Sequence, residues 1–135
     1  MAITTTLISR ADPSPNLAGQ TGQPLDSSVY VADIVLGAAA DYVNGTGLSL
    51  ATALTACGCS GFQGAIFQSI RTTAGAYKRA LGGSTTLIAV DLDTSGATPQ
   101  LRMYVAPTIG GTYVEATGAT HFVAGDTVRV LFIGV

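Results

Sequence analysis

The chain has 135 residues, enough for one domain with a hydrophobic core of its own. Charged residues make up 10% of it, against roughly 25% in an ordinary soluble domain, whereas hydrophobic residues reach 47%. The net charge of −2, without a basic cluster, argues against a nucleic-acid partner, because tracking phosphates requires several clustered cations. A surface with so few charges favours a protein that assembles with other molecules. The alternative is a small, neutral globular protein.

Residues 1–28 are predicted to form an extended N-terminal arm, and residues 29–135 a single β domain. Prolines and glycines punctuate the arm between residues 12 and 28, which is typical of a segment without packed structure. The opening residues could instead form an edge strand, and the arm either stays loose or orders against a neighbouring subunit. In the second case the predicted partner contacts are the side chains of Ile3, Leu7, Ile8 and Arg10.

The segment Val29–Leu36 is predicted to be a strand covered on both faces, because it is almost entirely β-branched, aromatic or otherwise apolar. Asp33 is its one charged residue, so we expect a backbone or arginine partner for that carboxylate. The segment 38–43 is a candidate continuation of the strand beyond a bend at Gly37.

A turn and a short helix are predicted next. Asn44-Gly-Thr-Gly has turn composition, and the apolar spacing that follows predicts one helix over Leu50–Cys57, with Ser49 at its start and Gly58 at its end. The segment Phe62–Thr72 fits either helical or strand spacing, and its glycines and β-branched residues favour a strand.

The clearest pattern is an antiparallel hairpin within residues 84–106. Two runs that alternate between apolar and polar residues flank a polar loop of residues 94–99. A six-residue loop places Asp91 opposite Arg102 on the solvent face and Val90 opposite Met103 on the core face. A slip of one residue would expose the apolar set, so the register is well specified.

The chain ends in an apolar strand, residues 127–135, after a predicted loop over residues 118–126. Val128, Val130 and Phe132 line one face of this strand, which must lie centrally in a sheet or be covered by a partner, since an exposed edge would aggregate. The fold class that follows is all-β: an antiparallel β-sandwich or jelly-roll-like barrel with one short helix and the extended N-terminal arm.

The chain has few residues that could carry reactive chemistry, and we predict no catalytic, cofactor-binding or metal-binding residues. Cys57 and Cys59 are too close together for an ordinary disulfide, and His121 is the one histidine, so neither a metal site nor a Ser–His–Asp arrangement is supported. Asp91 and Asp93 share a strand face that reads as solvated sheet surface. We expect a protein that is not an enzyme and has neither a membrane span nor a signal peptide.

Three stretches carry a resemblance: Tyr42-Val-Asn-Gly-Thr-Gly-Leu-Ser-Leu, the Asp91–Tyr104 hairpin with its LRMYV strand, and Glu115 followed by Val128-Arg-Val-Leu-Phe-Ile-Gly. From residue 29 to the end, the chain resembles the small β-rich head decoration, or cement, proteins of tailed bacteriophages. The resemblance implies a β-sandwich or jelly-roll protein on the capsid exterior, often a homotrimer, that braces junctions between capsid subunits.

That reading implies a major capsid protein as partner, synthesis in the host cytoplasm, and residence on the virion surface. The alternative is a receptor- or carbohydrate-binding β module of a phage tail or fibre. Such a module needs exposed aromatic rings around a shallow groove, for which the candidates are Tyr77, Tyr104 and Tyr113. A small enzyme is the third possibility, to be tested by metal analysis.

Overall fold

The computed structural model describes residues 3–11, 28–58, 61–78, 80–81, 85–106 and 111–134, with the backbone alone for residues 7–11, 28, 80–81 and 85–88. Within these residues two antiparallel sheets enclose one core, and two short helices lie outside the sheets. The elements are β1 (Thr4–Ala11), β2 (Ser28–Val35), β3 (Leu48–Ser49), α1 (Ala51–Ala56), β4 (Phe62–Arg71), β5 (Ala80–Leu81), β6 (Thr85–Asp93), β7 (Gln100–Ala106), β8 (Val114–Glu115), α2 (Gly118–His121) and β9 (Thr127–Gly134). The all-β prediction is confirmed.

The first sheet has the strand order β1-β2-β9-β4. The C-terminal strand β9 is therefore central, which is one of the two arrangements predicted from its apolar sequence, and the side chains of Val128, Val130 and Phe132 are buried. The Phe132 ring stacks on Tyr30 of the neighbouring strand, with 5.4 Å between ring centroids. Central placement satisfies both backbone edges of a strand that would otherwise invite aggregation.

The second sheet has the order β3-β7-β6-β5, with β8 also paired to β7. Its β6–β7 hairpin has the predicted register, with Val90 opposite Met103 and Asp91 opposite Arg102. Leu101, Met103 and Val105 alternate inward from β7 and are buried. They share one apolar core with the inward-facing residues of β2 and β9, which makes the fold a β-sandwich.

The predicted helix exists and spans Ala51–Ala56. Ser49 Oγ accepts a hydrogen bond from the Ala51 backbone N–H at 3.2 Å, which satisfies one donor at the start of the helix. The chain leaves the helix through Gly58, whose φ of 69° lies in the left-handed region that favours glycine. Both predicted signals therefore lie where the helix begins and ends.

Two segments differ from the prediction. Residues 38–43 do not continue β2, because Asp41 Oδ2 accepts hydrogen bonds from the backbone of Gly37 and Ala38 at 2.8 and 2.9 Å and closes a 3-10 turn over Ala39–Asp41. The predicted loop 118–126 begins with α2, which packs so closely on that turn that a Cβ at residue 118 would meet the backbone oxygen of Ala39. Glycine permits this approach because it has no side chain.

The start of the N-terminal segment is not an extended arm, and the alternative prediction of an edge strand is confirmed. Residues Thr4–Ala11 form an edge strand that pairs antiparallel with β2, from Thr4 opposite Val35 to Ala11 opposite Val29. This part of the segment belongs to the β domain, because its backbone completes one edge of the first sheet. Residues 12–27 of the predicted arm lie outside the described residues.

Candidate interaction surface

The face of the first sheet that points away from the core is unusually apolar. On the two central strands, outward-facing residues lie directly opposite one another: Val29 opposite Ile133, and Val31 opposite Leu131. We call these four residues the outer apolar face. The sequence predicted β2 to be covered on both sides, but these side chains are half-buried, since no described element packs over them.

The same face becomes charged toward the other end of the strands. Asp33 lies opposite Arg129 and accepts two hydrogen bonds from its guanidinium, from Nε at 2.7 Å and from Nη2 at 2.8 Å. Arg71 Nη2 lies 3.6 Å from the same carboxylate. The predicted arginine partner for Asp33 therefore exists, and the three residues form a charged cluster of net charge +1 at the margin of the outer apolar face.

The hydrogen bonds from Arg129 lower the pKa of Asp33 below its ordinary value of 3.8, with further lowering from the charges of Arg129 and Arg71 against the opposing effect of burial. A paired carboxylate with a lowered pKa stabilises the folded chain above its unfolded-state pKa. This contribution is lost as the pH falls through the folded-state pKa.

Asp33→Asn is therefore expected to lower the free energy of unfolding at pH 7 by about 1 kcal/mol, because it breaks a two-pronged ion pair. The difference from the wild type should shrink as the pH falls below about 4, where the unfolded carboxyl begins to protonate. Urea unfolding of both proteins at several pH values checks this, and an equal difference at every pH would contradict it.

Arg71 also contacts an aromatic ring. Its guanidinium carbon lies 5.9 Å from the centroid of the Tyr77 ring, and Tyr77 is 77% exposed. Arg71 Nε and Nη2 are buried without a hydrogen-bond partner among the described residues. The ring therefore partly shields the guanidinium from water at the edge of the charged cluster.

The outer face of the second sheet is polar by comparison. Arg102 forms its ion pair with Asp93 at 2.6 Å, diagonally across the hairpin, rather than with Asp91 directly opposite it as predicted. Hydrogen bonds from the Ser95 side chain and backbone lower the pKa of Asp93, and the charge of Arg102 adds to this. These residues border an open cleft of about 380 Å³ without an aromatic lining.

The predicted partner-contact residues take different places. Ile3 is partly buried and packs against this molecule's own core. Leu7 and Arg10 pair through their backbones with Ala32 and Tyr30 of β2, and Ile8 lies at a register irregularity between the pairs. The side chains of Leu7, Ile8 and Arg10 lie outside what the structure describes, so their contact with a partner stays a prediction.

The tyrosines proposed for a carbohydrate groove do not form one surface. Tyr104 and Tyr113 contact each other edge to face on the second sheet, with ring centroids 6.3 Å apart. Tyr77, in contrast, pairs through its backbone with Arg71 of the first sheet, in an isolated antiparallel β-bridge. A groove lined by all three rings is therefore not supported by their positions in the sandwich.

His121 and Cys57, which were considered for reactive chemistry, are both buried in the fold. His121 is buried, and its Nδ1 accepts a hydrogen bond from the Thr117 backbone N–H at 2.9 Å. Cys57 is buried in the core, whereas Cys59 lies outside the described residues. Among the residues that the structure describes, no group of three or more His, Cys, Asp and Glu side chains could hold a metal ion.

Two buried polar groups were missed by the sequence analysis. The Tyr42 hydroxyl accepts a hydrogen bond from the Met103 backbone N–H at 2.8 Å and lies 3.3 Å from Glu115 Oε1, and burial raises the pKa of this tyrosine. Lys78 Nζ lies 2.6 Å from Oδ2 of Asp126. A single lysine in a charge-poor chain was the available signal for the second pair, but nothing in the sequence indicated its partner.

Comparison with known proteins identifies no relative: no protein-family model, curated protein or solved structure matches this chain. In the described part of the chain, no helix has the length and apolar character needed to cross a membrane.

Proposed function

We propose that this chain is a structural protein of a tailed-bacteriophage virion, one that binds the capsid exterior and reinforces junctions between capsid subunits. The observation that supports this most is the outer apolar face, which lies on the two central strands of the first sheet. Apolar side chains on a rigid sheet are suited to binding another protein surface, because burying them removes hydrocarbon from water.

The energetics suit a cohesive role. Burial of apolar area contributes roughly 25 cal/mol per Å² before the costs of association are subtracted. A modest contact becomes a large resistance to separation when it is repeated around a closed shell, since every seam must lose its contacts before it opens. The charged cluster at the margin of the face orients the bound partner, because charged groups at the rim of an interface fix the register of the two surfaces.

The surroundings of the candidate reactive residues also favour a binding role over a catalytic one. Burial and local hydrogen bonding account for the environment of His121, and Asp93 is paired with Ser95 and Arg102. A binding role needs no reactive group. It needs a surface whose water contact is unfavourable and whose shape is held fixed, and β2 and β9 supply both because each is paired on both of its edges.

Val31→Lys is expected to weaken binding to the capsid at least tenfold, because it places a charge in the centre of the contact and tenfold corresponds to about 1.4 kcal/mol. The probe is a shell assembled from the major capsid protein encoded in the same phage genome, and the readout is co-sedimentation over a concentration series. Ala89→Lys is the matched control, since Ala89 is an exposed residue on the second sheet.

Binding that is equal for Val31→Lys and the wild type would contradict the role of the outer apolar face. Absence of the chain from purified virions, measured by mass spectrometry, would contradict the proposed function itself. A glycan array with specific hits would favour the receptor-binding alternative instead.

A further inference from the structure

We propose that the free edge of strand β4 pairs antiparallel with β4 of a second copy of this chain, so that two four-stranded sheets join into one of eight strands. We call residues Gly64–Ser69 the β4 edge. This edge adjoins the outer apolar face, because Ile66 lies opposite Leu131, but the pairing of strands does not depend on capsid binding.

In the described part of the chain, the β4 edge is paired with another strand on one side. Strand β4 is terminal in the first sheet, and β9 is its strand partner among the described residues. Within the described residues the chain itself closes the far end of this edge, where the Lys78 N–H donates to the Ile70 carbonyl at 2.8 Å and a backbone β-bridge joins Tyr77 to Arg71. A row of backbone groups along an open edge is a template for another strand.

The core is also less well closed at β4 than elsewhere. Inward-facing residues of the central strands, such as Ile34 and Val130, are fully buried. In contrast, Ala65 and Phe67 face the same core from β4 but are only partly buried. Ile66, on the other side of the strand, is 62% exposed. A neighbouring strand would cover all three side chains and extend the apolar faces on both sides of the sheet.

A second copy is the occupant that fits this edge. No charged residue occurs between residues 42 and 70, so two identical edges meet without repulsion between like charges. An edge that pairs with its own copy about a two-fold axis forms an isologous contact, the commonest kind in soluble oligomers.

The register of the pair follows from which side chains face inward. Inward-facing residues must lie opposite inward-facing residues, and a two-fold axis at Ile66 achieves this by placing Ala65 opposite Phe67 of the partner. This register also sets a small side chain against a large one. The register irregularities of β4, between Phe62 and Gly64 and between Phe67 and Ser69, limit the regular part of this edge to Gly64–Phe67 and keep the paired segment short.

The test is the mass of the purified full chain in solution, measured by light scattering over a concentration series. We expect the mass of two copies for the wild type, and of one copy for Ile66→Lys, which places charges opposite each other on the axis. Val123→Lys is the matched control, because Val123 is 56% exposed and lies in the loop between α2 and β9, outside the β4 edge, and we expect it to keep the mass of two copies.

Hydrogen exchange supplies a second readout that needs no variant: backbone amides of the β4 edge should gain protection as wild-type concentration rises. A wild-type mass of one copy at every concentration would overturn the proposal, as would a dimer that survives in Ile66→Lys. A mass of three copies would favour the trimer implied by the phage resemblance. If Val31→Lys loses capsid binding yet remains dimeric, the two surfaces act separately.

Discussion

Replacing Asp126 with alanine is expected to lower the free energy of unfolding by about 3 kcal/mol, because it leaves a largely buried ammonium without its counter-ion. Asp126 is fully buried and the side chain of Lys78 is 14% exposed. Asp126 Oδ2 also accepts the Val123 backbone N–H at 3.0 Å, so the substitution removes a hydrogen bond from the loop before β9. Chemical denaturation of both proteins at neutral pH measures the difference.

A double variant, Lys78→Met with Asp126→Leu, is the informative control for this pair. Replacing both charges by apolar groups of similar size is often neutral or stabilising, whereas removing one partner is costly. We therefore expect the double variant to be more stable than Asp126→Ala. If Asp126→Ala were as stable as the wild type, the pair would be of no consequence for the fold.

Deletion of residues 1–11 is expected to destabilise the domain by on the order of 5 kcal/mol, about the whole stability of a marginal domain. Strand β1 pairs along the length of β2, so its loss converts β2 into an edge and removes its hydrogen-bonding partner on that side. Ile3 is lost from the margin of the core at the same time. Thermal unfolding followed by circular dichroism measures the effect.

Deletion of residues 1–2 alone is the control, because it leaves β1 intact. A domain that unfolds at the wild-type temperature after loss of residues 1–11 would show that β1 is dispensable, as an arm devoted to a partner would be. The outcome therefore distinguishes an N-terminal segment that belongs to the sheet from one that serves only a neighbouring subunit.

The hairpin and the C-terminal strand were predictable because their signals are local. Alternation in β6 and β7, together with the length of the loop, determined that Asp91 lies opposite Arg102. The run from Val128 to Phe132 is too apolar for an exposed edge, so composition predicted either a central position or cover by a partner, and the strand is central. In both cases the period of two leaves one register that buries the apolar side chains.

Other features depended on contacts that the periodicity of a strand does not specify. The ion pair of Arg102 with Asp93 rather than Asp91 reflects the reach of a long side chain along the sheet, which register alone does not specify. The helix at Gly118 exists where the chain packs against the 3-10 turn near Ala39. The first outcome depends on side-chain conformation within one hairpin, and the second on a packing partner that is remote in sequence.

The amino-acid sequence by itself determined that this is a charge-poor β protein, where its main hairpin turns, and which side chains of its last strand face the core. The tertiary structure decided that β1 joins the first sheet, that Lys78 meets Asp126, and that the apolar residues of β2 and β9 combine into one outward face. The physical reason is that periodicity assigns each residue to a side of its own strand, whereas a surface is created only when separate strands are brought into register.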